Sequence, residues 1–208
     1  MHGGDRGRHG RRGGVAVGSR AATSDLRVAR NDHAEATAGW RELVRGLTSA
    51  QGSWRPAPDR WSLAQGLDHV GIVNGAVAAK LEKVLEEARS RGVVAPGPFR
   101  YGPIGRWYLA TVGPSSGWRV RAPGPFRPAD TDLDLAAAIA RFEAAQEAFD
   151  RVLDGADGIH LSRVRTASPG LPWLRLPVGI WLLALPRHTL RHLEQARRVR
   201  DDPRFPAS

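Results

Sequence analysis

Apolar residues recur three and four positions apart through four long stretches of this chain, and that spacing admits little besides a fold of amphipathic helices. The first stretch runs through Leu26, Ala29, His33, Ala36, Trp40, Leu43 and Leu47. The second follows Ser62 and uses Leu63, Leu67, Val70, Val73, Val77, Leu81 and Val84, reaching about Ser90. The third carries Leu135, Ile139, Phe142, Ala145, Phe149, Val152 and Leu153 and closes at Gly155. On the fourth, Trp181, Leu185, His188, His192, Ala196 and Val199 share one line, while the arginines from Arg187 to Arg200 lie mostly on the other sides. Strand signal is almost absent. The reading is an all-α, four-helix bundle with a long crossover connection.

Local signals mark the helix ends. Ser62 with Gln65 three residues later forms a capping box, and Thr131-Asp132-Leu133-Asp134 is a second capping signature. Thr48-Ser49-Ala50-Gln51-Gly52 reads as a turn, followed by a proline-containing linker whose end residues Trp54 and Trp61 are expected to pack on the bundle. Residues 91–130 are rich in Gly and Pro around a short helix at Ile104–Val112; this is the crossover, and a connection so long usually spans a bundle or forms a lid. A second irregular stretch, Ala156 to about Arg175, precedes the last helix, with Trp173 expected to cover the core. Pro186 should kink the last helix just before His188, or the helix restarts there.

The 208 residues suffice for one sizeable core. Residues 1–24 read as a disordered Gly/Arg-rich tail and residues 25–205 as the bundle domain. Of the net charge of +10, half falls within Met1 to Arg30, so the body is only mildly basic. The tail can act as an electrostatic arm for nucleic acid, or be an incidental extension; without aromatic residues to stack bases, the second is favoured. No apolar run approaches the roughly 18 residues of a membrane span, and a cytoplasmic location is expected. With no cysteine, any metal must be held by histidine or carboxylate.

A lone inward histidine is ordinarily satisfied by a neighbouring hydroxyl or carbonyl, and His33 is read that way. His188 and His192, one turn apart, can both reach a single ion. His69, near the start of the second helix, can join them if an antiparallel neighbour brings it alongside. Three nitrogen ligands leave coordination positions open, as in catalytic rather than structural sites, and suit zinc, nickel or iron without choosing among them.

Three segments resemble the DinB-like or YfiT-like metalloproteins. They are Pro58-Asp59-Arg60-Trp61-Ser62-Leu63-Ala64-Gln65 with His69, Ala122-Pro123-Gly124-Pro125-Phe126-Arg127-Pro128, and His188-Thr189-Leu190-Arg191-His192-Leu193-Glu194-Gln195. Pro203-Arg204-Phe205-Pro206 resembles the closing segment, so the likeness extends from about Asp25 to Phe205. The resemblance implies a four-helix bundle, often a homodimer, with a divalent metal held by His69, His188 and His192. Arg191 and Gln195 match positions kept beside the metal helix. It implies a transferase that activates a low-molecular-weight thiol of the bacillithiol or mycothiol type for transfer to a small electrophile; a mycothiol-dependent isomerase is also similar. Arg106, Arg187 or Arg191 can position carboxylates of such a thiol. The reading of another class is a non-catalytic helical-bundle binding protein whose basic tail contacts nucleic acid or a protein partner.

Overall fold

A computed structural model describes residues 23–117, 124–128, 133–169 and 171–207. Most of the expected tail, with the nucleic-acid reading attached to it, lies outside these residues, as do Ala122-Pro123 and Thr131-Asp132.

Helix α1 (Ser24–Val44) starts where the Thr23 hydroxyl accepts the Leu26 N–H, and ends ahead of Gly46, whose φ of 70° suits a residue without Cβ. Helix α2 (Ser49–Ser53) corrects the expected turn. Thr48 and Gln51 form a full capping box there, with the Gln51 N–H donating to the Thr48 hydroxyl and the Thr48 N–H donating to the Gln51 amide oxygen. That T-x-x-Q pattern is present in the sequence but has no apolar periodicity behind it. Helix α3 (Leu63–Ser90) carries the predicted Ser62/Gln65 box, α4 (Pro103–Val112) is the short helix of the crossover, and Gly124–Phe126 makes one 3-10 turn. Helix α5 (Leu135–Gly155) is capped by Asp134, whose carboxylate accepts the N–H groups of Ala136 and Ala137. Helix α6 (Val178–Arg200) runs as one helix through buried Pro186.

A short antiparallel hairpin, β1 (Arg165–Ala167) with β2 (Arg175–Pro177), precedes α6, its register pairing Thr166 with Leu176. Three residues per strand are too few for alternation to be legible. Trp173 does not cover the core: it lies between the two strands and is 77% exposed. Trp54 packs edge-on against Phe205 with ring centroids 5.4 Å apart, as expected of the linker.

Side-chain pairs set the directions of the four long helices. Arg30–Asp154 and Arg41–Glu143 make α1 and α5 antiparallel, whereas Asp68–Arg141 and Glu82–Arg151 make α3 and α5 parallel. His69 meets His192 and Asn74 meets Thr189, so α3 and α6 are antiparallel. The ring closes through α1 against α6, where Asp32 pairs with Arg187 and the Trp40 indole N–H reaches the Thr189 carbonyl. Parallel α3 and α5 cannot be joined by a tight turn, because the chain must return along about 42 Å of helix. The long crossover is that return, and on its way α4 packs against α6 and the Gly124–Phe126 turn against α3.

The core divides into two clusters. One contains Leu26, Leu81, Phe149, Val152 and Ile180; the other contains Trp40, Leu67, Phe142 and Leu193. Among the described residues no helix is long and apolar enough to cross a membrane.

Candidate metal centre

Capping places the first histidine. The box at Ser62 starts α3 without fraying, and His69 comes two turns later on its buried side. Because α6 runs antiparallel, its half-buried His188 and His192 come alongside at the same level. Ring centroids are 4.6 Å apart for His69–His192, 5.3 Å for His69–His188 and 4.5 Å for His188–His192. One ring nitrogen from each lies within 4.8 Å of the others, and the Nε2 atoms of His188 and His192 are 3.1 Å apart. Among the described residues these three form a group able to hold a metal ion, and no carboxylate belongs to it.

The surroundings favour lone pairs over charge. Burial is the largest cause in all three and lowers each below the ordinary histidine value of 6.5. His188 is pushed down to about 3, with His69 and Arg191 adding to the effect. His192 lies well below its usual value, depressed further by His188, His69 and Arg191 and opposed by its hydrogen bond to Gln195. For His69, the bond to the Phe126 carbonyl and the charge of Asp68 oppose burial without overcoming it. Three neutral imidazoles at neutral pH are the protonation state that metal ligation requires.

The nitrogens turned away from the centre are also arranged. His69 donates its Nδ1–H to the Phe126 carbonyl at 2.6 Å, which leaves its Nε2 lone pair for the centre. His192 is hydrogen-bonded to the Gln195 side chain, one turn further along α6. The donor set therefore fits a divalent ion: all-nitrogen, neutral, convergent, and held in orientation by groups outside it.

Trp61, expected only to pack down, forms a wall of the site. Its ring stacks on His192 at 22° with centroids 5.9 Å apart and lies 4.9 Å from His69. The Phe126 carbonyl is a second contributor that sequence reading missed, since no side-chain pattern marks a backbone acceptor. Of the arginines considered, Arg191 stands beside the histidines and donates to the Thr111 carbonyl at 3.2 Å. Arg187 is 3.8 Å from Asp32 on α1, and Arg106 lies on the exposed side of α4. His33 is remote from the centre: its Nε2 is 3.1 Å from Asp150, and its ring meets the edge of Phe149.

A family model described as the DinB superfamily matches residues 33–196, a span that includes all three converging histidines. No curated protein and no solved structure matches the chain.

Proposed function

This chain belongs to the DinB superfamily, and from that premise we propose that it is a divalent-metal-dependent transferase that joins a low-molecular-weight thiol to a small electrophile. The observation that carries the reading is the convergence of neutral His69, His188 and His192 without a fourth ligand among the described residues. A closed structural zinc site has four protein ligands, whereas three leave room for a substrate. A divalent ion held there would act as a Lewis acid and favour the thiolate over the thiol at neutral pH.

The chain's own residues do the rest. His69, His188 and His192 supply uncharged donors, and Phe126 and Gln195 hold two of those rings in orientation. Trp61 excludes water from the ring faces of His69 and His192 and offers an apolar wall to an incoming electrophile. The Arg191 guanidinium, anchored on Thr111, places positive charge where an anionic sulfur would approach. In the transfer, the thiol proton passes to solvent and the sulfur lone pair forms the new bond to carbon. The bonding pair of the displaced group leaves with it. Because the chain has no cysteine, the sulfur comes from the cosubstrate.

The test is elemental analysis of the purified chain, paired with conjugation assays using several bacterial thiols. One equivalent of zinc, nickel or iron is expected, lost in His188→Ala and His192→Ala while helical content persists. A preparation that contains no metal and also refuses added zinc and nickel overturns the reading.

A further inference from the structure

His69 has the Phe126 carbonyl as partner at Nδ1, and His192 is hydrogen-bonded to Gln195. His188 differs: its Nδ1 is buried with no hydrogen-bond partner. A buried polar atom left unpaired costs about 1–3 kcal/mol, and with Nε2 serving as the ligand atom the proton sits on Nδ1 and needs an acceptor.

Acceptors without donors lie in the same interior. Thr37, Asn74, Gln146 and Thr189 are buried polar residues, one on each of α1, α3, α5 and α6. Contacts put them at one level of the helix ring. Asn74 Nδ2 donates to the Thr189 hydroxyl at 3.0 Å, and that hydroxyl donates to the Leu185 carbonyl at 3.0 Å. Trp40, one turn beyond Thr37, donates to the Thr189 carbonyl. Gln146 follows Ala145, which faces Gly75 beside Asn74. The two apolar clusters lie on either side of this polar level. Oδ1 of Asn74, the hydroxyl oxygen of Thr37 and both amide atoms of Gln146 are buried there without partners. His188 directly precedes Thr189, whose hydroxyl accepts from Asn74, and its ring faces His69, five residues before Asn74 on α3.

We propose that a buried water joins the His188 Nδ1–H to Asn74 Oδ1, making Asn74 a positioning residue of the candidate metal centre. The water accepts from His188 and donates to Asn74, which leaves its second hydrogen for the Thr37 hydroxyl and its second lone pair for the Gln146 amide N–H. A buried water ordinarily makes two to four such bonds, and this level offers that number. The arrangement gives His188 what Phe126 gives His69 and Gln195 gives His192, and links the centre to all four long helices. The direction of the His188 bond and the effect on metal rest on reading the three histidines as ligands; the position of a water between the two atoms does not.

The experiment combines zinc competition against a chromophoric chelator with a crystal structure of the full chain at a resolution that shows waters. Asn74→Leu is expected to bind zinc about 10–100-fold more weakly at unchanged helical content. Thr189→Val, which removes the bond from Asn74 Nδ2 but leaves Asn74 Oδ1 for the water, retains the native affinity. Native zinc affinity in Asn74→Leu, or equal loss in Thr189→Val, overturns the positioning role. If the native chain takes no metal, the ligand reading fails on its own and the metal-free crystal structure decides the link. Water within about 3.2 Å of both His188 Nδ1 and Asn74 Oδ1 supports it. A protein group bonded directly to His188 Nδ1, or no water there, overturns it, and the same structure decides the matter if Asn74→Leu does not fold.

Discussion

His69 on α3 gives its Nδ1 proton to the carbonyl of Phe126, 57 residues away in the crossover, over 2.6 Å. The connection that returns the chain from the end of α3 to the start of α5 thereby fixes the tautomer of a residue at the candidate centre. By linkage, an ion that needs this His69 orientation also stabilises the crossover conformation that supplies it. Zinc is therefore expected to slow amide hydrogen exchange within residues 124–128. Exchange there that is indifferent to zinc would break the coupling.

Trp61 covers the rings of His69 and His192. Aromatic contacts of this kind contribute about 0.5–1.5 kcal/mol each beyond area burial. Trp61→Leu keeps apolar bulk but removes the stacking, and its zinc dissociation constant is expected to rise a few-fold, by about one contact's worth. Isothermal titration of the two proteins measures the difference.

Gly71 sets how closely α3 and α5 approach. A Cβ there would lie 3.2 Å from the Arg141 carbonyl carbon and 3.2 Å from the Phe142 nitrogen, and backbone atoms give way less readily than a side-chain end. Alanine recovers about 1 kcal/mol of helix propensity, comparable with the lower end of the overpacking cost, so its net effect is small. Gly71→Val adds bulk without that compensation and is expected to destabilise by about 1–3 kcal/mol. Thermal melting should show a fall of roughly 2–4 °C per kcal/mol for a chain of this size.

His33 makes stability depend on acid. Burial holds its imidazole below the usual 6.5, opposed by Asp150 and reinforced by Arg41 and Arg30. The unfolded chain takes up a proton as pH drops through about 6.5 while the folded chain resists, so this contribution is complete above that pH and is lost as pH falls below it. His33→Gln keeps a donor for Asp150 but does not titrate. Between pH 6.5 and 5 its denaturation midpoint in urea should decline less steeply than that of the native chain, the difference being bounded by about 1.4 kcal/mol per pH unit. Parallel pH profiles of the two would contradict this.

Periodicity was enough to read α1, α3, α5 and α6 from the chain, because each buries one apolar stripe and solvates the rest. The hairpin before α6 and the helix at Ser49–Ser53 escaped it, being shorter than any period they could display. The exposure of Trp173 is illegible for another reason: a large apolar residue in a loop carries no information on which side faces the protein.

The pairing of His188 with His192 was determined locally, since residues four apart on one helix are neighbours whatever surrounds them. That His69 joins them depends on α3 and α6 running antiparallel, a property of two helices whose meeting histidines are more than one hundred residues apart in the chain. The tertiary structure alone decided the Trp61 wall, the Phe126 acceptor and the buried level of Thr37, Asn74, Gln146 and Thr189. Each arises where separate segments meet, and a residue's own sequence neighbours specify which face of its helix is buried but not what that face will touch.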